Sequence, residues 1–278
     1  MGAVVLRSPG FHGRGSDGDL AGQDTLAEST GGIRVAVVGD PGTGSSDEYA
    51  VTRMMAAQHR ARPYDALVLL GDLIYPDGEL HMLEQTVVEP FAPLLGHHVE
   101  LLPALGNHDY ENGQSSQIMQ RLGRESGWYA EEVGSTLFVV LDSNQVDDPE
   151  QTRWLRQTLV TSAPRWTIAA MHHPAYSAGV NGSHLGVRQE WSQLFSMYGV
   201  DLVLAGHDHD YQRSEVIDGV VYVVSGAGAK TRPTGREEFT AFSASTLHYL
   251  DLQITDDQIF GQAIDTGGHS FDQFMLRS

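Results

Sequence analysis

Five short polar clusters each follow an apolar run, and their residue types are those that bind hard metal ions or move protons. Gly39-Asp40-Pro41-Gly42 follows Val35–Val38, Gly71-Asp72-Leu73-Ile74-Tyr75 follows Ala66–Leu70, and Gly106-Asn107-His108-Asp109 follows Leu101–Leu105. Later, Trp166–Met171 leads into His172-His173-Pro174, and Leu202–Ala205 into Gly206-His207-Asp208-His209. Each cluster alone has an ordinary structural explanation. A Gly-Asp pair after a strand commonly makes a turn or caps a helix, and His207 and His209, two positions apart, share one face of extended backbone whatever their purpose. Together, aspartates, an asparagine and histidines at successive strand ends supply oxygen and imidazole ligands for which packing has no use.

Something must bring these clusters to one place. The apolar runs Ile33–Val38, Ala66–Leu70, Val99–Leu105, Thr136–Leu141, Trp166–Met171 and Asp201–Ala205 have the length and continuity of strands buried on both faces. Helices are expected between them: one capped by Ser46 or Asp47 and running to about Arg60, one from Pro149 to Val160, and one over Gly186–Tyr198. In open α/β sheets the carboxyl ends of parallel strands line the ligand crevice, so the five clusters should converge there. The last third reads differently. Glu215–Ser225, Leu247–Thr255 and Gln258–Ile264, with Asp-Gly, Asp-Asp and Gly-Gly turn signals, suggest antiparallel strands, hence two packed sheets of mixed pairing flanked by helices.

The chain has 278 residues, 41% of them hydrophobic, enough for a substantial core. Its longest apolar runs fall far short of the roughly 18 residues of a membrane helix. The formal charge of −19, from 36 acidic and 17 basic residues, disfavours nucleic-acid partners over most of the surface. An anionic substrate is still admissible where bound cations reverse the local field. With no cysteine and 13 histidines, thiol chemistry and cysteine-ligated metals are excluded and any metal site must use nitrogen and oxygen. Residues 1–32, with eight glycines and no periodicity, read as a flexible arm preceding a domain over 33–278. Ala3–Leu6 is too short for the apolar segment of a secretory signal, so the chain as written reads as cytoplasmic, and as secreted if a leader has been trimmed.

Two segments imitate nucleotide-binding loops. Gly39–Ser46 nearly fits the phosphate loop, but Ser45 stands where its lysine belongs; Gly226-Ala227-Gly228-Ala229-Lys230-Thr231 carries the only lysine of the chain with the wrong glycine spacing. No Gly-x-Ser-x-Gly elbow of a serine hydrolase occurs.

The five clusters, in order between residues 39 and 209, resemble the calcineurin-like metallophosphoesterases, whose blocks are Asp, Gly-Asp, Gly-Asn-His-Asp/Glu, His and Gly-His-x-His. Asp40-Pro41-Gly42 in the first block and Tyr75 three residues after Asp72 are similar to the purple acid phosphatases. The resemblance implies a four-layer α/β/β/α sandwich and two metal ions. One ion would take Asp40, Asp72, Tyr75 and His209; the other would take Asp72, Asn107, His172 and His207, with Asp72 shared. The carboxylates and phenolate of the first set suit Fe³⁺, and the second set suits Fe²⁺, Zn²⁺ or Mn²⁺. His172 is preferred to His173 because the family's ligand stands two residues before proline.

The implied reaction is hydrolysis of a phosphorylated small molecule, a phosphate monoester, by a metal-bound hydroxide. His108 would protonate the leaving group, with Asp109 as orienting partner for its imidazole. His184 is the candidate for the substrate-binding histidine in the loop Tyr176–Gly186, where a solvated loop residue is the plain alternative. A phosphodiesterase or nucleotide hydrolase could use the same centre, with selectivity set by the loops Tyr110–Gly127 and Tyr176–Gly186. A binding protein with an intact metal site but no turnover is a third reading, against which His108 argues. Oligomeric state is not legible.

Overall fold

The computed structural model describes residues 32–96 and 98–278; the expected arm over 1–32 lies, Gly32 apart, outside the described residues. Six strands form one sheet. Its parallel core consists of β1 (Ile33–Val38), β2 (Ala66–Leu70) and β3 (Glu100–Ala104). Beyond β1, the antiparallel strands β11 (His248–Ile254), β12 (Gln258–Asp265) and β13 (Ser270–Arg277) give the order β13-β12-β11-β1-β2-β3.

A second, seven-stranded sheet has the order β10-β8-β9-β7-β6-β5-β4. Its parallel centre is β5 (Thr136–Val140), β6 (Trp166–Ala170), β7 (Leu202–Ala205) and β9 (Val221–Ser225). Antiparallel strands complete it: β4 (Tyr129–Val133) on one edge, then β8 (Tyr211–Ser214) and β10 (Thr240–Ala244) on the other side.

Period-two alternation along these strands builds the layers. On β1 and β2, Val35, Val37, Ala66, Val68 and Leu70 meet Phe138, Val140, Ile168 and Ala170 of the facing sheet in one buried cluster. The intervening Ala36, Val38, Leu67 and Leu69 pack outward with Val51 and Met55 of helix α1 (Ser46–Ala61) and with Phe91 of the short helix α2 (Glu89–Phe91). The other sheet does the same. Leu137, Val139, Ala169 and Met171 pack against Leu155 of α4 (Pro149–Thr161) and Trp191 and Phe195 of α5 (Leu185–Met197), α3 (Ser115–Arg121) lying earlier in the chain. The result is the α/β/β/α sandwich of two mixed sheets. No helix among the described residues is long and apolar enough to cross a membrane.

Helix starts follow their capping chemistry. The Ser45 hydroxyl accepts from the Glu48 amide, and Asp148 caps α4 just before Pro149. The Glu48 carboxylate turns back onto the loop, accepting from the amides of Gly44 at 2.6 Å and Thr43 at 3.1 Å. The amides that a nucleotide phosphate would need are thus occupied by the chain's own carboxylate, which explains why Gly39–Ser46 only imitates a phosphate loop.

The structure corrects three expectations, the first being the cap of α1, which is Ser45 and neither Ser46 nor Asp47. The run Glu215–Ser225 is not one strand: Asp218 and Gly219, at φ 49° and 88°, reverse the chain, so that β8 and β9 pair as a hairpin. The segment Tyr110–Gly127, expected as loop, contains α3. The edge strands β4, β10 and β13 carry mixed or exposed side chains, and their apolar periodicity is weak.

Candidate active site

All five polar clusters stand just beyond the carboxyl ends of parallel strands: Asp40 after β1, Asp72 and Tyr75 after β2, Asn107 and His108 after β3, His172 after β6, and His207 and His209 after β7. The sharp turns there demand unusual backbone. Asp40, Asp72 and His207 adopt φ of 56°, 53° and 71°, a left-handed conformation that costs about 1–3 kcal/mol each outside glycine. Neighbouring space is tight as well, since a Cβ on Gly106 would lie 2.1 Å from Asp72 Oδ1.

Side-chain donor atoms gather at two foci. At the first, the Tyr75 hydroxyl is 2.7 Å from Asp72 Oδ2, 3.1 Å from Asp40 Oδ1 and 3.1 Å from His209 Nε2, with His209 Nε2 also 3.4 Å from Asp40 Oδ1. At the second, His172 Nε2 is 3.1 Å from Asn107 Oδ1, 3.2 Å from His207 Nδ1 and 3.4 Å from Asp72 Oδ1. The two oxygens of Asp72 divide between the foci. His173, the neighbour of His172, instead bonds Ser143 Oγ through Nδ1 at 2.8 Å, although its ring lies 4.6 Å from that of His207.

The charge inventory does not close at the foci. Tyr75 has one proton to donate and lies within hydrogen-bond distance of two carboxylate oxygens and an imidazole nitrogen. His172 Nδ1 bonds the Leu70 carbonyl at 2.8 Å, which leaves Nε2 turned toward Asn107 Oδ1, His207 Nδ1 and Asp72 Oδ1. Two buried carboxylates that share one hydroxyl proton, with no arginine or lysine bonded to either among the described residues, lack a compensating cation, and this donor set of oxygens and imidazoles fits two metal ions.

Electrostatics agree. Burial pushes the Asp40 carboxyl well above its usual range, with His172 pulling the other way. Burial also opposes ionisation of Asp72, but His172 and the Tyr75 hydroxyl outweigh it and its carboxyl falls below the usual range. Burial and the two carboxylates drive the Tyr75 phenol up. Burial, then His172, pushes His207 down to about 3; burial, then Arg232 and Lys230, pushes His209 down to about 4. The latter two rings stay neutral near pH 7 and present lone pairs.

His108 lies beside the foci. Its ring is 4.6 Å from that of Tyr75 and its Nε2 is 4.0 Å from Asp72 Oδ2, while Nδ1 donates to the Pro76 carbonyl. Asp109 does not orient this ring. Its carboxylate accepts from the amides of Leu73 at 2.9 Å, Ile74 at 3.1 Å and Gly106 at 2.8 Å. Three converging amides outcompete an adjacent imidazole, so Asp109 fixes the two turns that carry Asp72 and Asn107. His184 is not at either focus. It is the N-cap of α5, Nδ1 accepting from the Val187 amide at 3.1 Å, with its ring 4.9 Å from that of His173.

Four residues near the foci have no role in the sequence reading. Ser143 and Asp142 follow β5, and a sixth polar cluster after an apolar run, Asp142-Ser143-Asn144, was the available signal. Ser143 holds His173, and Asp142 accepts from the Tyr110 hydroxyl. Lys230 and Arg232 come from the loop after β9, where the sequence marks Lys230 only within a false nucleotide-loop pattern.

The family model for calcineurin-like phosphoesterases matches residues 33–211, and the chain belongs to that family. An uncharacterised protein of Mycobacterium tuberculosis is 30% identical over 192 residues, covering 48% of this chain and 36% of that one, so this chain matches about a third of that relative's length. Human tartrate-resistant acid phosphatase type 5 is 27% identical over 250 residues, 76% of this chain and 77% of its own. A purple acid phosphatase from yellow lupin seeds superposes with a TM-score of 0.75 at 20% identity, covering 89% of this chain and 54% of that chain.

Proposed function

We propose that this chain hydrolyses phosphate monoesters at a two-metal centre, with Asp40, Asp72, Tyr75 and His209 holding Fe³⁺ and Asp72, Asn107, His172 and His207 holding Fe²⁺, Zn²⁺ or Mn²⁺. The observation that carries the reading is the split of the two Asp72 oxygens between two foci of converging oxygen and imidazole atoms. Two ions so placed would polarise the phosphoryl oxygens and make water a competent nucleophile at neutral pH. No side chain of this site need attack phosphorus. The P–O bond to the alcohol breaks as water adds, and the departing oxygen requires a proton.

His108 is positioned to give it. With the Pro76 carbonyl holding Nδ1–H, Nε2 lies on the side of Asp72 and Tyr75, where a proton carried on it would meet the leaving oxygen. Asp109, Gly106 and the turn of Leu73 and Ile74 keep the loops that carry Asp72 and Asn107 in register, so the donors stay converged before substrate arrives. A second histidine, His184, would reach substrate only from the rim beside His173.

Protein prepared without chelator is expected to contain two metal ions per chain, to absorb in the visible, and to cleave phenyl phosphate faster than diphenyl phosphate. Tyr75→Phe is expected to abolish the visible band, because a phenolate bound to iron produces it; a variant that keeps the colour removes Tyr75 from the ligand set. Full activity after complete demetallation overturns the whole reading.

A further inference from the structure

The loop that failed as a nucleotide motif, Gly226–Thr231, is clamped against the site. The Gly228 amide donates to the Gly39 carbonyl at 3.0 Å, and a Cβ on Gly228 would lie 2.6 Å from that oxygen. Held in this way, the loop lays the Lys230 ammonium 3.6 Å from the centre of the Tyr75 ring. Two residues on, the Arg232 amide donates to the His209 carbonyl at 2.8 Å, and its Nη1 donates to Asn181 Oδ1 at 3.2 Å. Asn181 is itself tied to the site, its Nδ2 donating to the His207 carbonyl at 3.0 Å.

Neither cation has an ion-pair partner among the described residues, in a chain that carries 36 acidic side chains. Lys230 is exposed and Arg232 half-buried, so both remain within reach of a ligand. The ring under Lys230 is the one beside His108, where a leaving group departs in the reading above.

We infer that Lys230 and Arg232 form a second anion subsite, which receives an oxyanion carried on the leaving group of the phosphate monoester. The shared chemistry is that of a phosphate or a carboxylate, and the inference rests on the phosphatase reading for the orientation of its substrate. A guanidinium fork and a mobile ammonium together suit a planar or tetrahedral oxyanion.

The test uses non-hydrolysable phosphonates on the metal-loaded protein, titrated by calorimetry: propylphosphonate, 2-carboxyethylphosphonate and 1,3-propylenediphosphonate. At least one of the two dianchored compounds is expected to bind about tenfold tighter than propylphosphonate, the value of one good charge-assisted contact, and their order identifies carboxylate or phosphate as the preferred group. Lys230→Gln with Arg232→Gln is expected to bring the affinity ratio close to one. Lys230→Gln alone, at an exposed position, is expected to reduce the ratio partially, and Lys230→Arg to retain it. Equal affinities in the unaltered protein, or a ratio that survives the double substitution, overturn the inference. Phenyl phosphate turnover on the same preparation tests the underlying reading separately: no turnover with both metals bound ends that reading, while the phosphonate ratios still decide the subsite.

Discussion

Strand β1 carries a buried polar cluster at each end, and the two are built on opposite rules. Near its start, Arg34 is sealed into a self-sufficient network: Nε donates to Asp251 Oδ1 at 3.1 Å, Nη2 to Asp251 Oδ2 and the Tyr64 hydroxyl, and Nη1 to the carbonyls of Gln58 and Arg62. Every guanidinium donor has an acceptor. Just past its other end, the carboxylates of Asp40 and Asp72 share one Tyr75 hydroxyl, and no arginine or lysine among the described residues bonds either. Burial is similar at the two ends; compensation of the buried charge is not. Buried polarity by itself therefore identifies nothing, whereas buried carboxylates without a compensating cation identify a place meant for one.

Substitutions at the two ends should fail in different ways. The largest effect is expected from Asp72→Asn, which removes the charge shared by both foci: metal analysis should find both ions lost and phosphatase activity at background, with the fold retained by circular dichroism. An Asn variant that keeps one tightly held ion would argue against a shared ligand. At the closed end, Asp251→Ala strands a buried guanidinium and should lower unfolding free energy by about 3–5 kcal/mol, read by denaturant titration, while the folded fraction keeps its metal content. If Asp251→Ala instead lowered the metal content of folded protein, the two ends of β1 would be coupled and the contrast would collapse.

His108→Ala should retain both ions and slow turnover by about 10²–10⁴, most for esters with poor leaving groups. A slowing independent of leaving-group pKa would remove its role as proton donor. The smallest effect is expected from His184→Ala, which deletes the cap of α5 for about 1 kcal/mol. A higher KM at undiminished thermal stability would move His184 from cap to substrate contact.

Much of this contrast was legible before any coordinates. Near-continuous runs such as Val35–Val38 and Leu202–Ala205 are buried on both faces, and such strands announce themselves and what stands at their ends. Edge strands such as β4 and β13, half exposed, lack that contrast. Asp109 was misjudged because adjacency in sequence suggested a partnership with His108, whereas the three amides that capture it come from turns 3 to 36 residues away. The place of Lys230 and Arg232 is hidden from the sequence for a related reason: only the packing of the loop after β9 onto Gly39 brings them to the site.

The origin of the ligands has one more consequence. Asp40, Asp72, Tyr75 and Asn107 extend from the six-stranded sheet, whereas His172, His207 and His209 extend from the seven-stranded sheet, so each focus draws on both halves of the sandwich. An ion seated at either one would act as a rivet through the two plates. By mass action, ions bound only in the folded state would raise the melting temperature as well as enable turnover, and chelation would loosen the joint between the sheets as it stopped the chemistry.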